Sequence, residues 1–419
     1  MPLFAPRGRQ RSREERDMAQ PLCGRCNPTP GRRGQLFSVA MAVVLYGSVS
    51  PGNAIAQSAF YRSSPEQIAG KPGTLIRSES VSHPLLNASA YRILYRSRGL
   101  DDGEIAVSGM VVVPRGSPPR GGRPIVAWAH PTTGVTPPCA PSLSRSVFRQ
   151  IQGLRQMVQR GYAIVATDYP GLGTPGPHPY LVGISEARAV LDSVRVAQLL
   201  SGGGHRFAVW GHSQGGHAAL YTGLLATTYA PDLKLVGAAA AAPATDLATL
   251  MNDDFGSSGG KNLTAMTLWS WSRVFGAPLN RVVVPEAIPV IDRLAAECIE
   301  SILDIWARQR TERPLERKFL AVQDLAATEP WQSLLARNTP GTLPSAIPVF
   351  LAQGTADTLV RPDVTRTYMT SLCRAGSAVR MVLLPKIGHA FIAHDIAGDA
   401  VDWIADRFAG APPATDCEK

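Results

Sequence analysis

Charged residues are scarce in the sequence, and no segment has the composition of a nucleic-acid-binding site. Only 18% of its 419 residues are charged and 45% are hydrophobic, a balance that excludes general disorder. No run of basic residues is interleaved with aromatic side chains, so nucleic-acid binding has no support. The formal net charge of +10 includes eight basic and three acidic residues within residues 1–56. Residues 57–419 therefore carry a net charge of only about +5, which favours at most a weak attraction to anionic surfaces.

Long hydrophobic runs are also scarce, and one of them lies near the start of the chain. Residues 36–49 form an apolar run that follows Arg32 and Arg33 and precedes the small residues Ala54 and Ala56. This order is typical of a secretory signal peptide, so we expect cleavage near Ala56 and a secreted or periplasmic protein. The run is shorter than the roughly 20 residues of a spanning helix, which makes a membrane anchor the less favoured alternative. We therefore predict that residues 1–56 are a signal peptide with an atypical N-terminal extension and that the mature form has no integral membrane span.

Cysteine is rare, with six residues in the whole chain. Two of these lie within residues 1–56, namely Cys23 and Cys26, and the predicted mature chain keeps Cys139, Cys298, Cys373 and Cys417. In an exported protein four cysteines indicate two disulfide bonds, although spacing alone leaves three pairings open. No two of the four have the close spacing of a zinc site. We therefore predict neither a metal nor any other cofactor.

The order of the predicted secondary structure indicates an α/β fold. Residues 74–114 have the composition of strands, and the turn at Asp101-Asp102-Gly103 predicts a hairpin. From residue 124, short apolar runs alternate with amphipathic segments, which is typical of βαβ units and of a mostly parallel sheet flanked by helices. The predicted strands are 125–129, 163–167, 207–210 and 235–240, and the predicted helices are 147–159, 185–200 and 216–227.

The alternation of strands and helices stops at about residue 247. No buried strand is predicted between residues 247 and 344, where the sequence favours helices at 263–274, 290–308 and 321–336. It resumes with strands at 347–351 and 379–384 and a last helix at 396–408. We therefore predict a helical cap, residues 247–344, inserted into an α/β domain formed by residues 57–246 and 345–419. The tryptophans of this cap are predicted to be core residues rather than a substrate pocket, namely Trp269, Trp271, Trp306 and Trp331.

The segment Gly211-His212-Ser213-Gln214-Gly215 carries the strongest chemical signal. It has the G-x-S-x-G spacing and stands between a predicted strand and a predicted helix. In that position the serine occupies a strained turn, and the glycines remove Cβ atoms where the strand and the helix approach closely. The motif predicts that Ser213 is the nucleophile of a serine hydrolase.

A serine nucleophile needs a histidine to take its proton and a carboxylate to orient that histidine. In the fold that carries this motif the chain order is serine, acid, histidine. His389 directly follows the last predicted strand and is preferred as the base to His394, which lies nearer the last helix. Asp357 lies on a glycine-containing loop after a strand and is preferred as the acid to Asp363, which suits the start of a helix.

Acyl transfer also needs two N–H donors for the negatively charged oxygen of the intermediate. The first is expected from Gln214, which follows the nucleophile, and the second from the loop of residues 130–134 after an early strand. Asp168 is interpreted as a carboxylate that organises its loop. His212 and His217 are interpreted as residues that pack beneath the nucleophile.

Three segments resemble the secretory lipases related to yeast lipase A. They are residues 129–134 with 138–142, residues 168–180, and residues 211–216. The resemblance extends from about residue 82 to the C-terminus, and it implies an α/β-hydrolase fold with a helical lid, hydrolysis of triacylglycerols and simpler esters, and no cofactor. It places the catalytic triad on Ser213, Asp357 and His389 and the oxyanion donors on Thr133 and Gln214. Thr133 stands where the family usually has an acidic residue.

The resemblance also implies the disulfide bonds Cys139–Cys298 and Cys373–Cys417. On this basis we predict an exported serine carboxylic-ester hydrolase of the lipase type, with an ester or lipid substrate or a lipid interface as its partner. Alternatives with the same triad are a sugar-ester deacetylase and a peptidase of the prolyl-oligopeptidase kind. A non-catalytic binding protein is less favoured because all three triad residues are present.

Overall fold

The computed structural model describes residues 59–82, 87–254 and 258–418. These residues belong to one compact unit. The predicted signal peptide, the expected cleavage near Ala56 and the pair Cys23 and Cys26 lie outside the described residues. None of the helices within the three described ranges is long and apolar enough to cross a membrane.

A mixed sheet of nine strands forms the centre of the described structure. Its strands are β1 (Leu75–Val81), β2 (Ala88–Arg98), β3 (Glu104–Pro114), β4 (Arg123–Ala129), β5 (Ala163–Thr167), β6 (Gly203–His212), β7 (Lys234–Ala241), β8 (Val349–Gly354) and β9 (Val379–Leu384). Their spatial order is β1-β2-β3-β5-β4-β6-β7-β8-β9. The pairs from β1 to β3 and the pair β3–β5 are antiparallel, and all other pairs are parallel. The predicted hairpin and the mostly parallel α/β sheet are confirmed.

Helices cover the sheet and form most of the insertion. The α-helices with both ends described are α1 (Pro65–Ile68), α2 (Val147–Gln150), α3 (Leu154–Gln159), α4 (Gly183–Ser201), α5 (Gln214–Tyr229), α6 (Leu247–Asp254), α7 (Ser258–Val274), α8 (Ile288–Ala296), α9 (Ile302–Glu312), α10 (Trp331–Asn338), α11 (Pro362–Arg374), α12 (Ile392–Asp395) and α13 (Ala397–Ala409). The helices predicted at 185–200, 216–227 and 396–408 are confirmed as α4, α5 and α13.

Three predicted helices are wrong in their extent. Residues 147–159 form two short helices because Gly153 adopts a left-handed φ of 79° between them. Residues 290–308 are interrupted after Ala296, where Glu297 is extended and Cys298 forms a disulfide bond. Residues 321–330 are not helical. Helix α10 begins only after Pro330, since a proline disfavours helical geometry in the residue before it.

Residues 247–344 contain α6 to α10 and, in their described part, one isolated β-bridge between Val283 and Leu320. Trp271 and Trp331 are buried there, with their rings stacked 6.4 Å apart, and so belong to the core as predicted. The core prediction is wrong for Trp306, which is 62% exposed on α9.

The parallel strands end together at one edge of the sheet. Ala129, the last residue of β4, pairs with Gly211 of β6, and Gly354 of β8 pairs with Leu384 of β9. The loops that carry the predicted nucleophile, acid and base follow β6, β8 and β9, so all three emerge at this edge. In this way the fold brings together side chains that are 176 residues apart in the sequence.

Candidate active site

Ser213 lies on the sharp turn between β6 and α5. Its φ of 57° and ψ of −119° are values that residues with side chains rarely adopt. Its N–H donates a hydrogen bond of 2.9 Å to the carbonyl oxygen of Ala241. A Cβ on Gly211 would collide with the carbonyl oxygen of Gly215, and a Cβ on Gly215 would collide with that of Ala129. Both glycines of the motif are therefore required by close packing around the turn.

His389 connects Ser213 to Asp357. Its Nε2 atom lies 2.8 Å from Oγ of Ser213, and its Nδ1 atom lies 2.8 Å from Oδ2 of Asp357. When Nδ1 donates to the carboxylate, Nε2 is left with a lone pair that accepts the hydroxyl proton of Ser213. The structure thus brings the three predicted triad residues into one continuous chain of hydrogen bonds.

Asp357 is buried in the loop that follows β8. Its Oδ1 atom accepts hydrogen bonds from the N–H groups of Leu359 and Val360, each at 2.9 Å, and Oδ2 accepts from the amide of Gln353 at 3.0 Å. Burial opposes ionisation, but the hydrogen bond and charge of His389, together with the two N–H groups, outweigh it and lower the pKa of Asp357. The carboxylate is therefore ionised at neutral pH and suited to orient an imidazole.

The two alternative residues lie outside this chain of hydrogen bonds. The side chain of His394 on α12 is 74% exposed and pairs with the adjacent Asp395. Asp363 lies in the first turn of α11, where it forms an ion pair of 3.1 Å with Arg361. The geometry therefore favours His389 and Asp357 over both alternatives.

His212 packs beside Ser213, as predicted, and supports the loop of His389. Its Nε2 atom donates a hydrogen bond of 3.0 Å to the carbonyl oxygen of His389, and the two ring centres lie 5.0 Å apart. Burial, and then the proximity of His389, lower the pKa of His212 to about 3. The ring is therefore neutral at physiological pH and acts on the position of the His389 backbone.

Both disulfide bonds implied by the resemblance are present in the structure. Cys139, in the loop after β4, is bonded to Cys298, in the insertion, and Cys373 of α11 is bonded to Cys417 near the C-terminus. Gly134 has a φ of 137°, and a Cβ there would collide with the sulfur of Cys139. A glycine at this position therefore lets the loop of residues 130–134 pass directly over the first disulfide bond.

The predicted oxyanion donors follow two neighbouring strands of the sheet, Thr133 after β4 and Gln214 after β6. Both residues are buried, Thr133 just after the end of β4 and Gln214 at the first position of α5. Within the described ranges neither backbone N–H donates to another backbone group. Both N–H groups are therefore available to a substrate oxygen.

Asp168 organises the loops beside the site, as predicted. Its carboxylate accepts hydrogen bonds from the backbone N–H and the hydroxyl of Ser142 and, at 2.7 Å, from the hydroxyl of Ser108. Burial raises the pKa of Asp168 to about 6 despite these hydrogen bonds. Its carbonyl oxygen lies 3.2 Å from Nε2 of His130, and burial lowers the pKa of that histidine to about 4. The loops after β4 and β5 are joined through this residue.

A second buried polar cluster lies beneath Ser213 and was not predicted. Glu186 of α4 accepts hydrogen bonds from the side chains of Gln214 and His217, and Gln214 also contacts His178. The sequence pattern predicts only packing for His217. His178 lies in the segment 168–180 that carries the resemblance, which is the one signal for it. Nothing in the sequence marks Glu186, because the first turn of a helix is a usual place for an exposed acid.

The side chains at this edge support nucleophilic attack by a serine hydroxyl on a carbonyl group. The hydroxyl has a base at 2.8 Å, and that base has a carboxylate at 2.8 Å. In the described part of the chain, no group of three or more histidine, cysteine, aspartate or glutamate side chains could hold a metal ion.

Known relatives of the chain include fungal lipases and a mycobacterial protein. Lipase 10 of Candida albicans is 25% identical over 63% of this chain, and the match spans 59% of the length of that lipase. Secreted triacylglycerol lipase LIP7 of Malassezia globosa is 22% identical over 86% of this chain and 81% of the relative. A probable inactive lipase of Mycobacterium tuberculosis is 23% identical over 81% of this chain and 79% of the relative.

Among solved structures, Candida antarctica lipase A in its closed state is similar to this chain, with a TM-score of 0.72 and 18% identity over 85% of this chain and 87% of that one. This similarity confirms the predicted α/β-hydrolase fold. The family model described as secretory lipase matches residues 146–416, which is more than half of the chain. The chain therefore belongs to the secretory lipase family.

Proposed function

We propose that the chain hydrolyses carboxylic esters, and lipid esters in particular, through an acyl-enzyme formed on Ser213. The observation that carries the proposal is the hydrogen-bonded chain from Asp357 through His389 to Ser213, in which both distances are 2.8 Å. One relative is named a probable inactive lipase, so relationship alone is a weak argument for turnover. The arrangement of the three side chains is the stronger argument.

In the first half of the reaction, Oγ of Ser213 attacks the carbonyl carbon of the ester while Nε2 of His389 takes the hydroxyl proton. The carbonyl oxygen becomes negatively charged and accepts hydrogen bonds from the N–H groups of Thr133 and Gln214. Asp357 stabilises the positively charged imidazole. His389 then gives the proton to the alcohol oxygen, the bond between carbon and that oxygen breaks, and the acyl group stays on Oγ.

In the second half a water molecule replaces the alcohol. His389 takes a proton from the water as its oxygen attacks the acyl carbon, and the same two N–H groups stabilise the negative charge. The proton then returns to Oγ of Ser213 as the bond to the acyl carbon breaks. The carboxylic acid leaves and the enzyme returns to its starting state. One ester and one water molecule have then been converted into one alcohol and one carboxylic acid.

We further propose that residues 247–344 act as a cap that selects the acyl chain and contacts lipid. Leu303 and Trp306 are 72% and 62% exposed on α9 and lie three positions apart, so they share one helix face. The basic residues Arg310 and Arg313 follow at the end of the same helix. An exposed apolar face beside positive charge suits an interface that contains anionic lipid. The relative named as a secreted triacylglycerol lipase supports a triacylglycerol as the substrate.

Membership of the secretory lipase family and two disulfide bonds fit an extracellular protein. We also propose that a signal peptide is cleaved near Ala56 during export. Mass spectrometry of the exported protein should find an N-terminus close to residue 57. An exported protein that keeps residues 1–30 would contradict this proposal.

The test of ester hydrolysis uses the purified mature chain with p-nitrophenyl esters of increasing acyl length and with emulsified triolein. We expect the wild type to hydrolyse both and Ser213→Ala to lose several orders of magnitude in turnover without losing its fold. Activity confined to acetylated sugars would indicate the deacetylase alternative, and cleavage of a peptide anilide the peptidase alternative. A folded wild type that turns over none of these esters would overturn the proposal.

The lipid surface is tested by the double variant Leu303→Ser with Trp306→Ser. It should turn over emulsified triolein more slowly and keep the wild-type rate on soluble p-nitrophenyl butyrate, because only the emulsion requires contact with an interface. Leu199→Ser is the matched control, since Leu199 is 67% exposed on α4, outside the insertion. Equal losses on triolein in the double variant and the control would contradict a specific role for α9.

A further inference from the structure

The buried polar cluster beneath Ser213 joins two helices of the sheet domain to the end of the insertion. Oε1 of Glu186 accepts a hydrogen bond of 2.8 Å from Nε2 of Gln214, and Oε2 lies 2.7 Å from Nδ1 of His217. Nε2 of His217 lies 2.7 Å from the carbonyl oxygen of Asn338, and Nε2 of Gln214 lies 2.8 Å from Nε2 of His178. The four side chains are at most 1% exposed. None of them belongs to the triad.

The positions of the hydrogen atoms follow from the partners. Both ring nitrogens of His217 face oxygen atoms, so the ring is held between Glu186 on one side and the carbonyl oxygen of Asn338 on the other. Asn338 is the last residue of α10, so His217 contacts the end of that helix. The two hydrogens of the Gln214 amide point to Glu186 and to Nε2 of His178. Nδ1 of His178 donates to the carbonyl oxygen of Pro170 at 2.8 Å.

The cluster holds the first turn of α5, where the nucleophile and one proposed oxyanion donor lie. Gln214 directly follows Ser213, and the N–H of His217 donates a hydrogen bond of 3.0 Å to the carbonyl oxygen of Ser213. Glu186 therefore binds the side chains of two residues of this turn. Ser213 keeps its rare backbone conformation only if the surrounding structure holds it. The side chain of Gln214 is bound within the cluster, which leaves its backbone N–H for the substrate oxygen.

We propose that Glu186 and His217 are positioning residues for the oxyanion hole, which orient Gln214 and connect it to the end of the insertion at Asn338. This inference rests on the proposed ester hydrolysis. Neither side chain is proposed to contact substrate. The pair places the N–H of Gln214 where the negative oxygen develops, and so acts on turnover rather than on substrate binding.

The experiment compares Glu186→Gln, His217→Gln and the double variant on p-nitrophenyl butyrate, well below their melting temperatures. Glutamine at 186 presents an NH2 group in place of one acceptor oxygen, so either Gln214 or His217 loses its partner. We expect kcat to fall roughly 10- to 100-fold in each single variant, since a small displacement of a catalytic group has an effect of this size. KM should stay close to the wild-type value. The double variant should lose no more than the singles, because the pair acts as one unit.

A second measurement reports on the oxyanion hole directly. Oγ of Ser213 displaces p-nitrophenolate from the phosphorus of a p-nitrophenyl phosphonate ester while negative charge develops on the phosphoryl oxygen, so the rate of this covalent attachment should fall by the same factor as kcat. His178→Asn removes one acceptor of the Gln214 amide, keeps the contact between Glu186 and His217, and should lower both rates in the same direction. This variant tests the proposal separately if the variants at Glu186 and His217 fold poorly.

Asp192→Asn is the matched control. Asp192 is a buried carboxylate six residues further along α4, paired with Arg195 at 2.8 Å, and it lies outside the cluster. This variant should lose stability and keep the wild-type kcat. If Glu186→Gln and His217→Gln keep the wild-type kcat and phosphonate rate, or if Asp192→Asn lowers both as much, the pair is merely structural and the inference is overturned. A wild type without esterase activity would overturn the proposed function and this inference together.

Discussion

The N–H of Ile299, in the insertion, donates a hydrogen bond of 2.8 Å to the carbonyl oxygen of Thr133. The residue before it, Cys298, is covalently bonded to Cys139 in the same loop as Thr133. The insertion is therefore attached, at this point, to the loop of a proposed oxyanion donor.

Loss of the disulfide bond Cys139–Cys298 should reduce turnover more than loss of Cys373–Cys417. The variant Cys139→Ser with Cys298→Ser releases the loop of Thr133, and a displaced oxyanion donor lowers kcat on the order of 10-fold or more. The variant Cys373→Ser with Cys417→Ser releases only the C-terminal tail from α11 and should keep the wild-type kcat. Steady-state kinetics on a soluble ester measure both, and non-reducing peptide mapping verifies the two pairings. Equal kcat values in the two variants would count against the link to the oxyanion loop.

Replacement of His389 should abolish turnover, and replacement of His394 should not. His389→Ala removes the only imidazole placed to take the proton of Ser213 among the described residues, and a loss of about 10³-fold or more in kcat is expected. His394→Ala removes an exposed side chain that pairs with Asp395. The two variants should melt at similar temperatures. A large loss of kcat in His394→Ala, with His389→Ala active, would reverse the assignment of the base.

Asp357→Asn should keep the fold of the loop and lower kcat by about 10⁴-fold, because an amide group favours the wrong tautomer of His389. Asp363→Asn is the matched control, since its carboxylate pairs with Arg361 at the start of α11. The comparison uses kcat on p-nitrophenyl butyrate at neutral pH, where the lowered pKa of Asp357 ensures that the wild-type carboxylate is ionised. Similar kcat values for the two variants would exclude Asp357 as the acid.

Stability should depend on the protonation of Asp192. Burial raises its pKa to about 6 in the folded chain, since Arg195 is shared with Asp232 and does not outweigh the loss of hydration. In the unfolded chain the pKa is about 3.9. The folded state therefore binds this proton more tightly, so the stabilising contribution is complete below about pH 4 and is lost as the pH rises through about 6.

Asp192→Asn lacks this titration and provides the measurement. We compare the free energy of unfolding of the wild type minus that of the variant. This difference should be roughly 2–3 kcal/mol larger at pH 4 than at pH 7. Urea unfolding at the two pH values gives this change, and any constant loss from missing hydrogen bonds cancels in it. A difference that does not vary with pH would show that Asp192 has an ordinary pKa.

The turn that carries Ser213 could be predicted because its constraint is local. Five consecutive residues contain both glycines and the serine, and the clashes that a Cβ would cause lie within the same turn and the adjacent end of β4. The helices of the insertion were less predictable. The break after Ala296 coincides with a disulfide bond to a residue 159 positions away, which no window of local sequence contains.

By itself the sequence determined the alternation of strands and helices and the turn that carries the proposed nucleophile Ser213, because hydrophobic period and turn strain act over a few residues. Only the tertiary structure decided that Glu186 meets His217 beneath the nucleophile and that the insertion is attached beside Thr133. An acid in the first turn of α4 looks like a solvated residue in the sequence. It becomes one half of a buried pair because α5 and the end of α10 pack over it and exclude water, and burial of this kind depends on the whole fold.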